Sequence, residues 1–297
     1  TIMLLSLDTK NKKVALLSIP RDLRVPIPGY GYDKINAAHS TGEQYASRTG
    51  GGAALAKRTV QEVFGVPIHY YVRLDFSGFE KLVDAIGGVD VVVEKAINDP
   101  YYPDVRMIGY DPFSISAGPH HLNGKTALKY ARSRETTSDF DRAHRQQQLL
   151  GAIKERVFSL AILTNPKKIN GLMGIAGEHL RTDLSAREIE HLISIASDYT
   201  KGEPIMRVLD SSPGGPLVST SGNGGYYLVP RTGNFKELQS IAQNIFSGEV
   251  SGIFAENARV EVINSTGKAG VGTQLAKSLE SLGFTVAKIA NGQKLEK

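Results

Sequence analysis

Between Lys129 and Arg145 the chain sets five cations, Lys129, Arg132, Arg134, Arg142 and Arg145, among Asp139, Asp141, Gln146, Gln147 and Gln148. Guanidinium groups grip phosphate oxygens with two parallel donors, and several aimed at one point offset charge that develops on a transferring phosphoryl group. A pyrophosphate is a natural ligand for such a clamp. Arg142 and Gln146 stand four apart and, on a helix, share a face with Asp139; Arg132 and Arg134 point alike if residues 131–134 are extended. The same pattern also fits a solvated helix face laced with ion pairs, and charge density does not choose between the two readings.

Two smaller constellations precede it. In Ile19-Pro20-Arg21-Asp22 an apolar strand ends directly in a charged pair, a place where function concentrates, although an Arg–Asp pair that steers a turn fits equally. In Lys34-Ile35-Asn36 the Lys and Asn fall on one side of an extended segment, as they also would on an ordinary polar surface. Gly267-Lys268-Ala269-Gly270-Val271-Gly272 has neither the glycine spacing of a dinucleotide loop nor the terminal Gly-Lys-Ser/Thr of a phosphate loop, and reads as a tight turn. The seven His show no regular ligand spacing, His120-His121 reads as a turn, and His144 as a helix-surface residue. The absence of Cys excludes disulfides, Cys-ligated zinc and thiol catalysis.

The elements that must carry these residues read as mixed α/β. Residues 2–7 and 13–19 form a hairpin of buried strands around the polar turn 8–12, and Pro20, Pro26, Pro28 and Gly29 then stop regular structure. Residues 32–39 read as a polar connection leading to a helix at about 53–64. A strand at 69–74, a helix at 76–86 and a strand at 89–93 follow. Asn123 caps a helix through about 131, and Leu149, Leu150, Ile153, Val157 and Leu160 mark one face of a helix over 139–163. Helices at about 166–180 and 185–199, a strand at 204–209, a loop at 210–225 and a helix at 234–247 complete this region. We therefore expect a mixed central β-sheet flanked by helices over 1–247, and a small βαβ domain over 258–297 with strands at 259–263 and 284–289 around a helix at 271–282.

The 297 residues, 41% of them hydrophobic, suffice for a large core, and 35 Lys and Arg against 30 Asp and Glu favour anionic partners. A nucleic-acid partner is not expected: there is no basic recognition helix, Lys/Arg tract or aromatic stacking series. No stretch reaches the roughly 18 apolar residues of a membrane span. Thr1-Ile2-Met3-Leu4-Leu5 enters a strand at once, the pattern of a fragment that begins inside a sheet, and the βαβ unit has the look of one that stops short.

Four blocks in order, Ser18-Ile19-Pro20-Arg21-Asp22, Asp33-Lys34-Ile35-Asn36-Ala37-Ala38, Tyr130-Ala131-Arg132-Ser133-Arg134 and Asp139-Phe140-Asp141-Arg142-Ala143-His144-Arg145-Gln146-Gln147, resemble the signature blocks of the LytR-CpsA-Psr (LCP) family. One departure is Asp141, where the family commonly has a small residue. Val260-Glu261-Val262-Ile263-Asn264-Ser265-Thr266-Gly267 and the helix after it resemble the C-terminal accessory domain of many members.

The resemblance implies an enzyme, a phosphotransferase that moves a glycopolymer such as teichoic acid from a polyprenyl-pyrophosphate carrier onto peptidoglycan. Arg21, Lys34, Arg132, Arg134, Arg142 and Gln146 would bind the pyrophosphate, and apolar helices would line a groove for the polyprenyl tail. Arg21, Asp139 and Arg142 would act in catalysis, with Asp139 orienting an Arg or taking the acceptor proton. The family also implies Mg²⁺ on acidic residues that match positions ahead of Thr1, a transmembrane anchor upstream of the same point, and action on the extracytoplasmic face of a bacterial membrane. A lipid-pyrophosphate phosphatase would use the same Arg clamp, while a non-catalytic carrier- or polymer-binding module, or a transcription attenuator, would need no metal.

Overall fold

The computed structural model describes residues 1–104, 106, 108–133, 139–159, 166–199, 202–212, 214–222, 225–247, 259–266, 268–281 and 285–292. They fall into two compact units, Thr1–Pro20 with Pro67–Val208, and Arg21–Val66 with Leu209–Lys297.

The first unit is built on strand Lys13–Ile19, which pairs antiparallel with Ile2–Asp8 and parallel with Ile205–Val208. Ala15 to Ile19 are all buried, so this run shows no alternation, as a central strand covered on both faces requires. Strand Val89–Val93, paired antiparallel with Gly118–Leu122, alternates buried and exposed; its inward Val89, Val91 and Val93 join a core that includes Ile86, Phe113, Tyr130 and Leu149. Two helices meet at this core, each started by a side chain that satisfies a free backbone N–H, a cap worth about 1 kcal/mol. Asp75 accepts from the Gly78 N–H at 2.8 Å ahead of helix Phe76–Ala85, and Asn123 accepts from the Thr126 N–H at 2.9 Å ahead of helix Gly124–Arg132. The helices approach so closely at Gly124 that a Cβ there would lie 2.1 Å from the Glu80 carbonyl oxygen.

In the second unit a hairpin, Arg24–Ile27 with Gly31–Lys34, inserts Val25 and Ile27 into a core shared with Leu55, Phe64, Leu228 and Leu238. Helices Ala37–Gln44, Gly52–Phe64 and Lys236–Gln243 and a second hairpin, Leu217–Gly222 with Gly225–Pro230, complete this part. The expected βαβ element is present: Arg259–Asn264 and Thr285–Asn291 pair in parallel, with helix Val271–Ser281 between them in sequence.

The fold class is the one expected, and several local readings change. Pro26 does not stop regular structure but pairs with Tyr32 in the first hairpin, because a two-stranded ribbon has open edges where a residue without N–H is tolerated. His120 and His121 lie in strand Gly118–Leu122 rather than in a turn, and the expected loop over 210–225 contains the whole of strand Leu217–Gly222. Residues 131–132 are helical, not extended; the helix runs to Arg132, with Ser133 as its C-cap. No helix among the described residues is long and apolar enough to cross a membrane.

Candidate functional site

Tertiary structure sorts the five cations by what each touches. Lys129 is held by Asp111, 2.8 Å from its carboxylate, and that hydrogen bond keeps the Asp111 carboxyl below the usual carboxylate range. Arg145, only 5% exposed, donates to the Ser133 carbonyl at 2.5 Å, and the Ser133 hydroxyl donates to buried Asp99 at 2.7 Å. Burial pushes the Arg145 guanidinium pKa down against the pull of Tyr130, Asp141 and Asp99. Lys129 is thus paired, and Arg145 is buried with its Nε and Nη1 lacking a hydrogen-bond partner among the described residues. Arg132 closes its helix with its guanidinium carbon 4.0 Å from the Phe76 ring centroid, and it donates to the Tyr102 hydroxyl at 3.2 Å. No carboxylate pairs with Arg132 among the described residues.

Arg142 and Gln146 lie in the first two turns of helix Asp139–Ser159 and share a face, as their spacing requires. Gln146 donates to the Ala131 carbonyl at 3.0 Å and accepts from the Thr1 hydroxyl at 3.0 Å, tying this helix to the end of the one that carries Arg132. Arg134 and the Asp139 side chain lie outside the described residues.

The neighbours of Gln146 were not singled out from sequence, yet they fix the helix in place. Buried Gln147 donates to the Ser18 hydroxyl at 2.9 Å and to the Arg207 carbonyl at 2.8 Å, reaching two neighbouring strands of the sheet. Gln148 donates to the Val92 carbonyl at 2.7 Å and accepts from the Tyr130 hydroxyl at 2.7 Å. Consecutive helical residues are about 100° apart, so three glutamines in a row sweep more than half the circumference and cannot all face water. That was the available signal.

One turn beyond Gln146, Leu150 forms part of the wall of a cavity of about 330 Å³ within the same unit, closed also by Leu5, Leu16, Leu192, Ile195 and Met206. Its lining is almost wholly apolar, and its size falls at the lower end for ligand sites, about 300–1,000 Å³. One helix thus presents Arg142 and Gln146 near its start and an apolar hollow about 6 Å further along its axis. Such an arrangement suits an amphipathic molecule with an anionic head and an apolar tail.

In the second unit, two more of the sequence blocks meet. The Ile35 N–H donates to the Leu23 carbonyl at 2.8 Å and the Asn36 N–H to the Arg21 carbonyl at 3.3 Å. Asp22, 7% exposed, takes Lys34 Nζ at 2.7 Å and Arg21 Nε at 3.2 Å. Burial works against its ionisation, but the Lys34 hydrogen bond and the charges of Arg21 and Lys34 prevail and hold its pKa below the usual range. Arg21 does pair with its neighbour at a turn, and the same carboxylate also positions Lys34.

Among the described residues no group of three or more His, Asp or Glu is placed to hold a metal ion.

The structure is a mixed α/β protein with cations at helix and strand ends and an apolar cavity in its first unit. Residues 1–244 match the model of the LytR_cpsA_psr family, and residues 257–296 match that of the LytR cell envelope-related transcriptional attenuator domain. The chain belongs to the LytR_cpsA_psr family. It is 31% identical over 243 residues to the polyisoprenyl-teichoic acid–peptidoglycan teichoic acid transferase TagT of Bacillus subtilis (strain 168), covering 82% of this chain and 68% of TagT. With TagV of the same organism it shares 32% identity over 248 residues, 82% of this chain and 58% of that protein, so it spans little more than half the length of that relative. Among solved structures, the family protein YwtF (TagT) with bound octaprenyl pyrophosphate lipid superposes with a TM-score of 0.59 at 26% identity, covering 82% of this chain and 83% of that one.

Proposed function

We propose that this chain is the catalytic part of a phosphotransferase that moves a teichoic-acid-type glycopolymer from a polyprenyl-pyrophosphate carrier to peptidoglycan. The observation that carries this reading is the pairing, on helix Asp139–Ser159, of Arg142 and Gln146 with the apolar cavity one turn away. The related structure that holds an octaprenyl pyrophosphate supports it. The cavity receives the first isoprene units, and Arg132, Arg134, Arg142 and Gln146 bind the pyrophosphate oxygens. Arg21 and Lys34 are likewise proposed as phosphate-binding residues.

In the reaction, a sugar hydroxyl of peptidoglycan attacks the phosphorus next to the carrier-linked sugar. A new phosphorus–oxygen bond forms, the bond to the bridging oxygen breaks, and polyprenyl phosphate leaves with that oxygen. Asp139 takes the hydroxyl proton, while Arg142 neutralises charge on the phosphoryl oxygens; a catalytic role for Arg21 is proposed from its signature block alone. Mg²⁺, a membrane anchor ahead of Thr1 and action at the outer face of the membrane belong to the proposal, supported by the family's signature blocks. The βαβ element is proposed as a separate accessory domain over 258–297.

The test is transfer of a labelled oligosaccharide from synthetic polyprenyl pyrophosphate to peptidoglycan fragments by the full-length protein with Mg²⁺, beside Arg132→Ala and Arg142→Ala. We expect a phosphodiester-linked product that falls by about 10²-fold or more in each variant. Release of free sugar phosphate without linkage supports a phosphatase instead, and retention of full transfer by both variants removes the assigned clamp.

A further inference from the structure

Arg24 and Lys34 stand directly opposite each other across the first hairpin of the second unit. Like charges in that position repel, so both should be compensated. Lys34 is, by Asp22 at 2.7 Å; but that carboxylate already serves Arg21 as well. Asp33, next along the strand, points its side chain to the opposite face, where it accepts from the Lys34 backbone N–H. Arg24 has no carboxylate and no hydrogen-bond acceptor among the described residues. Its guanidinium carbon instead lies 5.4 Å from the Tyr32 ring centroid and 5.7 Å from that of Tyr227, while Lys34 Nζ lies 5.4 Å from the same Tyr227 ring.

Two aromatic rings attract the charge but accept none of the five guanidinium N–H donors. They also limit the rotamers of a side chain that is exposed to solvent, so less entropy is lost when the donors find a partner. Arg21, Arg24 and Lys34 against Asp22 and Asp33 leave a local positive excess at one end of the hairpin, and the cation without a carboxylate is the one whose planar fork fits an oxyanion.

We propose that Arg24, framed by Tyr32 and Tyr227, binds a phosphate oxyanion of the donor substrate. This rests on the phosphotransferase reading and adds a phosphate-binding residue outside the four signature blocks. The phosphate is either the pyrophosphate head group or a phosphodiester within the polymer, and the experiment separates them.

Calorimetric binding of inorganic pyrophosphate and of an oligo(glycerol phosphate) to the full-length protein is compared with the same measurements on Arg24→Gln, Arg24→Lys and Tyr227→Ala, whose melting curves check the fold. Binding is read without turnover, so failure of the transfer assay leaves this test intact. One charge-assisted contact corresponds to about tenfold or more in affinity. We expect Arg24→Gln to weaken one ligand by that factor, Arg24→Lys and Tyr227→Ala to weaken it less, and the donor KM to rise in parallel in the transfer assay while the acceptor KM stays fixed. Loss with pyrophosphate assigns the head group, and loss with the oligomer alone assigns the polymer. Unchanged affinity for both, or an effect confined to the acceptor, overturns the proposal.

Discussion

Replacing Gln147 by Leu tests whether the glutamine run is what fixes the helix that carries Arg142. Leucine fills a comparable volume but donates nothing, so two hydrogen bonds are lost, to the Ser18 hydroxyl at 2.9 Å and the Arg207 carbonyl at 2.8 Å. Each such bond is worth about 0.5–1.5 kcal/mol net, and a buried group left without a partner costs about 1–3 kcal/mol. Ser18 is 3% exposed, so its hydroxyl cannot turn to water. The expected loss is about 2–4 kcal/mol. In a urea titration with a slope of about 1–3 kcal/mol per molar, the midpoint of the first unit then falls by about 1–2 M with the slope unchanged. Removing both ends together in Ser18→Ala/Gln147→Leu costs less than the sum of the single changes, because no polar group is stranded at that end. A loss under about 0.5 kcal/mol, or strict additivity in the double variant, would refute the reasoning and make the helix anchored by its apolar face alone.

Asp22→Asn removes a carboxylate whose folded pKa is depressed, so its contribution in the wild type is fully present above the ordinary value, about 4, and is lost as pH falls through the lower folded value. The variant should lose about 1–3 kcal/mol at neutral pH, since Arg21 and Lys34 remain partly solvated, and the gap to wild type should close in acid; a gap independent of pH in paired denaturant titrations contradicts the assignment. Gly124→Ala places a Cβ 2.1 Å from the Glu80 carbonyl oxygen, a clash with backbone that no rotamer relieves. A cost of about 2–3 kcal/mol, read as a fall of about 5 °C or more in thermal midpoint, is expected, and an unchanged midpoint would show that the two helices separate freely.

Much of the architecture was legible because it rests on short-range rules. The Asn123 cap, the helix start at Asp139 and the βαβ pattern at the end of the chain were all readable, since capping and periodicity act within a few residues. The misreadings share one cause. Pro26 and the segment 210–225 carry local signals for irregular structure, but a partner strand supplied from elsewhere in the chain overrides them. Whether Arg132 continues its helix or begins an extended segment stays open in the sequence, because nothing local marks where that helix ends.

The sequence by itself determined the chemistry on offer: cations at strand and helix ends, no thiols, and four ordered blocks that fix the family. Only the tertiary structure decided what each cation touches. Lys129 is paired with Asp111 and Arg145 is buried against the Ser133 carbonyl, while Arg132 and Arg24 rest on aromatic rings. A guanidinium carries the same charge wherever it stands in the sequence. Whether that charge is neutralised, buried or left available depends on groups tens of residues away, which only folding brings within a few ångströms.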